Sequence, residues 1–289
     1  MTIAGPPDVA RDIAEAILQR GLDVRRVDLV SPLKERKGIR LAYRVDTSDG
    51  ATVKLRHFGT ADDARSHLAL RTALEEAFAP ALGRIGAVVL EEWIEGTELL
   101  DLEPESRCAE AGRLLGRLHA RPLGAGVAPT HRTDSWRAAA ESDLAILDQS
   151  RCLSPAESSA LQSELARHDP GTARPALIHK DFCAENMLVD GLGRLRVIDN
   201  EQIDIAPAGF DLGRTFHRWP MSEEGWSAFR GGYLSTADSD PGATGFWRIA
   251  AALVGARVFL ERIPERLDAS LALLRRFTGG CDLDEPPRP

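Results

Sequence analysis

The sequence predicts an α+β fold of two lobes, in which a small β-sheet lobe with one helix precedes a larger, mainly α-helical lobe. Short runs of β-forming residues separated by turn residues dominate the first third of the chain. Apolar residues at helical spacing dominate the rest, apart from a group of short strands in its middle. We therefore expect a hinge at residues 92–96, an N-terminal lobe over residues 1–95 and a C-terminal lobe over residues 97–289.

The N-terminal lobe is predicted to begin with a helix and a hairpin. Residues 8–20 repeat apolar positions at helical spacing up to Gly21, which is typical of a helix and its end. Residues 41–45 and 51–58 are rich in β-formers and flank the turn pair Asp49–Gly50. Two such runs around a short turn predict a β-hairpin.

Capping signals and periodicity define the remaining elements. Thr60 and Asp63 have the spacing of a helix N-terminus, and we expect that helix to continue to about Ala79. Residues 87–96 predict a further strand. In the C-terminal lobe the predicted helices are 103–120, one that begins at Ser154, 222–234, about 245–262 and 265–277, and the predicted strands are 176–179, 186–189 and 194–199.

Charge and cysteine usage narrow the classes of function. The formal net charge is −8 and no lysine- or arginine-rich run is present, so we expect no nucleic-acid partner. Cys108, Cys152, Cys183 and Cys281 lack CxxC pairs and metal-ligand spacing, which argues against a disulfide framework or a zinc site. Residues 1–20 lack a basic region followed by an apolar core, so we expect no export, and no segment approaches the roughly 18 apolar residues that span a bilayer. We expect a cytoplasmic protein with no membrane partner.

The segment from His179 to Asp211 contains the strongest functional pattern. Asp181 is followed, after four intervening residues, by Asn186, and Asp199 follows a predicted hairpin. This order matches a kinase catalytic loop and its metal-binding carboxylate. Because paired strands align their outer ends across a short turn, we expect Asn186 and Asp199 to lie side by side.

These residue types suit phosphoryl transfer, which requires that ATP, a metal ion and the acceptor hydroxyl be held together. We expect Asp181 to orient and deprotonate the hydroxyl as the catalytic base. Asn186 and Asp199 offer hard oxygen ligands to Mg²⁺. We assign His179 to bracing the loop. Glu201 either supports the metal or orders the loop.

Lys54 is the candidate phosphate ligand of the N-terminal lobe. Val53 and Leu55 share one face of the predicted strand, so Lys54 lies on the other. A strand-borne ammonium suits the α- and β-phosphates of ATP, and a solvent-facing lysine is the alternative. Glu75 and Glu76, on the helix that follows, are the available ion-pair partners.

Two further segments are candidates for contacting a nucleotide. Glu92, Trp93 and Ile94 lie where a connector between lobes would present backbone groups to adenine, with ordinary packing as the alternative role of Trp93. Gly38 offers a backbone turn over the phosphates, with Lys34 and Lys37 beside it, but the chain has no GxGxxG pattern.

The motifs together resemble those of the aminoglycoside phosphotransferase and choline kinase superfamily, which shares the protein-kinase-like two-lobed fold. YRV followed by TVKL resembles the hairpin that carries the lysine, LEEWIEG resembles the connector, and AGRLLGRLHARP resembles a helix ending in Leu and His. HKDFCAEN and VIDNE resemble the catalytic loop and metal segment, and FDLGRT resembles the Asp-Leu-Ala element. The resemblance covers residues 41–215.

The resemblance implies a role for each matching residue. Asp181 is the catalytic base, Asn186 and Asp199 hold Mg²⁺, Lys54 contacts the ATP phosphates, and Asp211 braces the catalytic loop. Two residues depart from the family pattern. Lys180 stands where the family often has a small or polar residue, and Cys183 stands where His or Lys is frequent. Lys180 is placed either to touch the transferred phosphate or to reach solvent.

Three other functions compete with a small-molecule kinase. A protein kinase needs an activation segment, but only eleven residues separate Asp199 from Asp211, and Asn200 replaces the Phe of the DFG motif. A catalytically silent nucleotide-binding or scaffold protein has no need of all three motif residues. A metal-dependent hydrolase that uses His179 and Asp181 lacks other suitably spaced histidines.

We expect the acceptor to be a small molecule with a hydroxyl group, and a cationic aminoglycoside-like antibiotic or amino alcohol is one candidate. Carboxylates of the C-terminal lobe that are available to a cation are Glu141, Asp143, Glu223 and Glu224. These are equally explained as helix-surface charges, so a sugar or another hydroxylated metabolite stays open.

Overall fold

A computed structural model describes residues 3–30, 41–71, 74, 77–123, 133–168, 175–238 and 244–279 of the 289-residue chain. The chain divides into two compact units. Unit 1 contains Met1–Thr97 and Met187–Ile203, and unit 2 contains Glu98–Asn186 and Asp204–Pro289.

Unit 1 is built on a five-stranded antiparallel sheet. Its strands are β1 (Val24–Leu29), β2 (Ala42–Thr47), β3 (Thr52–His57), β4 (Ala81–Ile85) and β5 (Val88–Glu92), in the order β1-β2-β3-β5-β4. β2 and β3 form the predicted hairpin. Strands β1 and β4 were not predicted, because β1 carries charged residues on both faces and β4 contains a glycine, which weakens a strand pattern.

Helix α1 (Pro7–Gln19) packs on one face of this sheet and confirms the first predicted helix. The apolar residues that it buries are Val9, Ile13, Ala16 and Ile17, and they pack with Tyr43, Val45, Leu55, Val88 and Leu90 of the strands. Alternate strand residues therefore form the core of unit 1, and the residues between them lie on the opposite face.

Helix α2 (Ala61–Arg71) has the predicted N-terminus, since the Asp63 N–H donates to Thr60 Oγ1 at 3.1 Å. The prediction that it continues to Ala79 is wrong. Phe78 pairs with Val197 in a parallel bridge. The proline after Ala79 also disfavours helical geometry in the residue before it.

The hairpin of β8 (Met187–Val189) and β9 (Leu195–Val197) also belongs to unit 1. Asp190 closes its turn, because Asp190 Oδ1 accepts hydrogen bonds from the backbone of Leu192 at 2.9 Å and Arg194 at 3.0 Å. These strands were predicted.

The predicted lobe ranges, 1–95 and 97–289, differ from the observed division at this hairpin. The bridge between Phe78 and Val197 joins the hairpin to unit 1. Ala79 N also donates to Val197 O at 3.1 Å. Such pairing joins segments that are far apart in the chain, so sequence order does not reveal it.

Unit 2 contains helices and a two-stranded ribbon. The helices are α3 (Cys108–His119), α4 (Thr133–Gln149), α5 (Pro155–Arg167), α6 (Ala208–Arg218), α7 (Glu223–Leu234), α8 (Thr244–Arg262) and α9 (Leu267–Thr278). Strand β7 (Pro175–Ile178) pairs antiparallel with β10 (Asp204–Pro207), and the short β6 (Thr97–Glu98) lies at the boundary of the units. Helices α4 and α6 and strand β10 were not predicted; the other helices confirm the predictions within a few residues.

Close helix packing organises unit 2. Helix α3 lies against α7, where Gly112 and Gly232 leave no space for a Cβ atom against the opposing backbone carbonyls. Helix α8 packs against α4, α6 and α9, and its buried residues include Phe246, Trp247 and Leu253.

Cys108, Cys152 and Cys183 are free thiols. Cys281 lies outside the described residues. Across the described ranges, no helix combines the length and apolar character needed to cross a bilayer.

Candidate active site

Strand β3 presents two basic side chains on the face opposite the α1 core, Lys54 and Arg56. In the pairing of β3 with β5, Lys54 lies directly opposite Glu91. Lys54 Nζ is 3.7 Å from Glu91 Oε2 and 3.8 Å from Asp199 Oδ1. The lysine therefore has a carboxylate partner on a neighbouring strand and a second one just after β9.

Glu91 is the buried anion of this cluster, with a side chain that is 1% exposed. Arg71 Nη1 is 2.7 Å from Glu91 Oε1, and Arg56 Nε is 3.8 Å from the same oxygen. Burial alone would raise the pKa of Glu91, but Arg71, Arg56 and Lys54 outweigh burial and lower the pKa to about 2. Glu91 is therefore ionised at neutral pH.

Burial acts on Lys54 in the other direction. It lowers the pKa of Lys54 from 10.5 to about 8, with a further contribution from Arg56, while Glu91 and Asp199 oppose the change. The ammonium group is held where water solvates it poorly, which strengthens its attraction for any anion close to it.

Arg56 binds the carboxylate that the sequence predicts as a metal ligand. Arg56 Nη2 is 2.8 Å from Asp199 Oδ1, and Arg56 Nη1 is 2.9 Å from Glu201 Oε2. The second contact lacks hydrogen-bond geometry, so it is Coulombic. Arg56 is fully buried and Glu201 is 2% exposed, whereas Asp199 is 32% exposed. Of the two roles predicted for Glu201, this geometry favours ordering the loop.

The connector after β5 is only partly free to contact a nucleotide. Glu92 N donates to Pro80 O at 2.9 Å, so this N–H group is not free for adenine. The Trp93 ring lies against the guanidinium of Arg44, with 4.8 Å between Arg44 Cζ and the ring centroid. Ile94 is half-buried. Adenine contact by this connector stays a prediction. Gly38, Lys34 and Lys37 lie outside the described residues.

In unit 2 the predicted catalytic loop starts where β7 ends. The backbone N–H groups of His179 and Lys180 donate to the two oxygens of Asp211, each at 2.6 Å. Asp211 is fully buried, and its Oδ2 is 3.2 Å from His119 Nε2. Burial alone would raise the pKa of Asp211, but the hydrogen bonds from His119 and from the His179 backbone lower it. Asp211 is thus an ionised anchor for the start of the loop.

His179 occupies a structural position. Its side chain is fully buried, and its ring packs edge-on against Phe182 with 5.9 Å between centroids. Thr215 Oγ1 donates to Phe182 O at 2.7 Å, which fixes the loop to helix α6.

Three side-chain donors surround the Asp181 carboxylate. Asn186 Nδ2 donates to Asp181 Oδ2 at 3.1 Å and to Asp181 O at 2.8 Å. Arg214 Nη2 and Arg218 Nη1 lie 3.4 Å and 3.5 Å from Asp181 Oδ1. The Asp181 side chain is 14% exposed, so it is oriented by its neighbours but still reachable.

Asn186 and Asp199 offer the oxygen donors that suit Mg²⁺, which takes one or two protein ligands besides phosphate and water. Because Asn186 Nδ2 is bound to Asp181, the carboxamide oxygen of Asn186 is the atom left for a metal. Among the residues that the structure describes, no cluster of three or more His, Cys, Asp or Glu side chains has the arrangement of a metal site. The two donors fit Mg²⁺ chemically, and their predicted proximity stays a prediction.

The two departures from the family pattern are also located. Lys180 has a left-handed backbone, with φ of 68°, and its Nζ forms an ion pair with Asp204 on β10. Burial, with a contribution from Asp181, raises the pKa of the Cys183 thiol to about 12. Cys183 is therefore a packing residue and not a nucleophile.

Residues 36–247 match the model of the phosphotransferase enzyme family, which is more than two thirds of the chain. The chain belongs to this phosphotransferase family. A search of the curated proteins returns no significant match.

Solved structures similar to this phosphotransferase include antibiotic and choline kinases. A macrolide 2′-phosphotransferase from Brachybacterium faecium is 17% identical with a TM-score of 0.63, over 98% of this chain and 100% of that one. A choline kinase from Cryptosporidium parvum is 12% identical with a TM-score of 0.63, over 93% and 94%. An AMP-bound spectinomycin phosphotransferase is 12% identical with a TM-score of 0.62, over 93% and 98%. At these identities the similarity establishes the kinase-like α+β fold.

Sequence reasoning missed several charged residues of the phosphotransferase. Those that contact the predicted site residues are Arg56, Glu91, His119, Arg214 and Arg218. From the sequence we expected Glu75 or Glu76 to be the ion-pair partner of Lys54. Both glutamates lie outside the described residues. A signal for Glu91 was present, since a glutamate at the end of the apolar run AVVL needs a partner when its strand is buried.

Proposed function

We propose that this phosphotransferase transfers the γ-phosphate of Mg·ATP to a hydroxyl group of a small-molecule acceptor. The observation that carries the proposal is the oriented Asp181 carboxylate, bound by the Asn186 amide directly after β7, in a chain of the phosphotransferase family. The AMP-bound relative of the same fold supports an adenine nucleotide as the phosphate donor.

The proposed step at Asp181 is proton removal. Its carboxylate accepts a hydrogen bond from the acceptor hydroxyl and takes the proton as the hydroxyl oxygen bonds to phosphorus and the bond to ADP breaks. Arg214 and Arg218 orient the carboxylate through Oδ1. Asp211 holds the loop by its two backbone hydrogen bonds, so that little reorganisation is needed at the moment of transfer.

Unit 1 contributes the groups for the donor phosphates. Lys54 is proposed to bind the α- and β-phosphates, and their negative charge would restore the pKa that burial has lowered. Glu91 holds Lys54 in place, and Arg56 orients Asp199. Asn186 and Asp199 would hold Mg²⁺, which when bound neutralises charge on the phosphate oxygens.

Membership of the family does not identify the acceptor molecule. The similar structures are named for a macrolide, choline and spectinomycin, which differ widely in size and charge. The cationic aminoglycoside-like antibiotics and amino alcohols expected from the sequence are one class to test. The alternative function is a catalytically silent nucleotide-binding protein, which would bind ATP without acceptor-dependent turnover.

The deciding experiment is a coupled ADP-release assay of the purified protein with Mg·ATP and a panel of aminoglycosides, other hydroxylated antibiotics, amino alcohols, sugars and hydroxy acids. Acceptor-dependent ADP release, with phosphate on the acceptor by mass spectrometry, supports the proposal. ATP binding without release for any acceptor supports the silent alternative.

Asp181→Asn tests the assignment of the base. The change keeps the size and the hydrogen bond to Asn186 but removes the proton acceptor, so turnover should fall by about 10²–10⁴-fold while ATP binding is retained. Removal of Mg²⁺ with EDTA should stop the reaction, and added Mg²⁺ should restore it. Turnover of Asp181→Asn at the level of the original protein would refute the role of Asp181.

A further inference from the structure

We infer that Arg56 makes Asp199 select a metal ion that arrives with a nucleotide over a free divalent metal ion. The inference rests on the proposed function and deepens it, because Asp199 is the carboxylate proposed there to hold Mg²⁺. Arg56 acts through Asp199, so it is a positioning residue in this proposal and not a catalytic one.

The first observation is a close contact between a buried guanidinium and the proposed metal ligand. Arg56 Nη2 donates to Asp199 Oδ1 at 2.8 Å. The Arg56 side chain is fully buried, whereas the Asp199 side chain is 32% exposed. Water therefore screens the guanidinium poorly, while an ion from solvent can reach the carboxylate. An ion that arrives at Asp199 meets a positive charge already beside it.

The second observation is that Arg56 is held in this place by two other carboxylates. Arg56 Nη1 is 2.9 Å from Glu201 Oε2, and Arg56 Nε is 3.8 Å from Glu91 Oε1. The side chains of Glu201 and Glu91 are 2% and 1% exposed. If the guanidinium turned away, two buried carboxylates would lose a cation, which is costly. The positive charge therefore stays beside Asp199 when a ligand arrives.

The third observation is the balance of charge in this cluster of unit 1. The contacts described link three cations with three carboxylates. The cations are Lys54, Arg56 and Arg71, and the carboxylates are Glu91, Asp199 and Glu201. With every group ionised these charges cancel before any metal is present. A free divalent cation would add positive charge that this cluster does not offset, whereas a nucleotide brings phosphate charges that outnumber those of its metal.

The other role open to Arg56 is to hold Asp199 in shape. Asp199 has a left-handed backbone, with φ of 59°, which is uncommon for a residue other than glycine. If orientation were the main effect, loss of Arg56 would weaken binding of the free ion and of the metal–nucleotide complex alike. Repulsion predicts tighter binding of the free ion. We expect repulsion to dominate, because aspartate tolerates the left-handed conformation better than most residues.

The test requires a variant that removes the guanidinium and still folds. Arg56→Gln alone leaves Glu201 buried without this cation, so the change is made together with Glu201→Gln, which replaces the buried ion pair by two neutral amides. Glu201→Gln by itself is the reference. Arg26→Gln, on strand β1 with a side chain 68% exposed, is the control for loss of one positive charge from unit 1.

Two measurements on the full-length protein separate the free ion from the complex. Electron paramagnetic resonance of Mn²⁺, a stand-in for Mg²⁺, measures binding of the ion without nucleotide. Isothermal titration with ADP in the presence of Mg²⁺ measures binding of the complex. Relative to Glu201→Gln, the double variant should bind free Mn²⁺ at least about tenfold more tightly and Mg·ADP no more tightly. Adding Asp199→Asn should abolish the gain, and Arg26→Gln should bind Mn²⁺ like the original protein.

Four results would overturn the inference: no gain in Mn²⁺ affinity in the double variant, an equal gain for Mg·ADP, an equal gain in Arg26→Gln, or a gain that persists with Asp199→Asn. In each of them an original protein that binds Mg·ADP leaves the proposed function standing, since acceptor-dependent ADP release tests that function separately. If the original protein binds no Mg·ADP, the inference and the proposed function both fail.

Discussion

Lys54 and Arg56 lie on the same face of strand β3 and carry the same charge, but their surroundings indicate different roles. Arg56 is fully buried and contacts Asp199 and Glu201 closely. Lys54 is 14% exposed, and its carboxylate contacts are near the upper limit of an ion pair. Arg56, a buried cation with short contacts, neutralises buried carboxylates. Lys54 is poorly solvated and only weakly paired, so it can bind an anionic ligand.

Substitution of these two residues should separate stability from activity. Arg56→Met leaves Glu201 and Glu91 with one fewer cation, so we expect a loss of about 3–5 kcal/mol in the free energy of unfolding. Lys54→Met removes a cation whose pKa fell from 10.5 to about 8, a cost of at most about 3 kcal/mol, so the free protein should be as stable or more stable.

Urea unfolding without ATP and ADP-release kinetics are the two measurements. Lys54→Met should lower kcat/KM on the order of 100-fold or more despite its stability. A destabilised Lys54→Met, or an Arg56→Met variant as stable as the original protein, would contradict this division of roles.

His217 should make the protein sensitive to acid. Its pKa is about 3 in the fold against 6.5 as the ordinary value, because burial and two arginines disfavour its charged form. Below pH 6.5 the unfolded chain binds a proton that the folded chain does not, so stability falls as the pH drops towards 3. At pH 5 the loss from this residue is about 2 kcal/mol.

His217→Gln, which preserves a donor for Ser270, should remove that part of the pH dependence, and the more exposed His168→Gln should not. Urea unfolding at pH 7 and pH 5 measures both. Parallel curves for the original protein and His217→Gln would show that His217 does not titrate as expected.

At the residue scale the sequence predicted the site residues that belong to a motif with fixed spacing. It missed the residues that contact them only in the folded chain. Asp181 and Asn186 were found because their spacing is local, and they do form a hydrogen bond. Glu91 reaches Lys54 only through the register of β3 and β5, and His119 reaches Asp211 from another helix. These contacts depend on tertiary pairing, which has no local signal.

At the scale of elements, the contact of α3 with α7 depends on two glycines. A Cβ atom at Gly112 would overlap the Phe229 carbonyl, and one at Gly232 would overlap the Ala109 carbonyl. The two helix backbones approach each other directly at these points. His119, at the end of α3, also bonds Tyr233 of α7 at 3.0 Å, so this contact supports the anchor of the catalytic loop.

Adjacent glycines of α7 provide a matched test of this packing. Gly232→Ala should destabilise the protein by about 1–3 kcal/mol, because the backbones must separate. Gly231→Ala has open space around the new methyl group and should stabilise by about 0.5–1 kcal/mol, because alanine favours the helix. Thermal unfolding of both variants measures the two changes in stability. Equal changes in stability would contradict the close packing of α3 against α7.

Helices and strands with a clear repeat of apolar residues were predicted well. Elements that depend on pairing with a distant segment were not. Helices α1, α7 and α9 have apolar stripes, and α5 begins with a Ser154 capping box that the structure contains. The helix expected through Ala79 ended early because pairing with β9 outweighed local helical preference.

At the scale of the whole molecule, the chain leaves unit 2 after Asn186 and returns to it at Asp204. Asp181 and Asn186, the proposed base and amide ligand, therefore belong to unit 2, and Asp199, the proposed carboxylate ligand, belongs to unit 1. A boundary drawn in sequence order assigned all of them to one lobe, because linear reading cannot show that a short hairpin joins the other unit.

Binding of Mg·ATP should stabilise the protein. The size of this stabilisation should distinguish variants that impair nucleotide binding from variants that impair only proton removal. At a ligand concentration 100 times the dissociation constant, binding contributes about 2.7 kcal/mol, which for a chain of this size raises Tm by about 5–10 °C. Asp181→Asn should keep this rise, because it removes only the proton acceptor. Lys54→Met and Asp199→Asn should lose most of it, because they remove phosphate and metal contacts. Differential scanning fluorimetry with ATP alone, Mg²⁺ alone and both together measures the effect. A full rise in Lys54→Met or Asp199→Asn would place the nucleotide phosphates away from the β3 face, and the assignment of unit 1 would have to be abandoned.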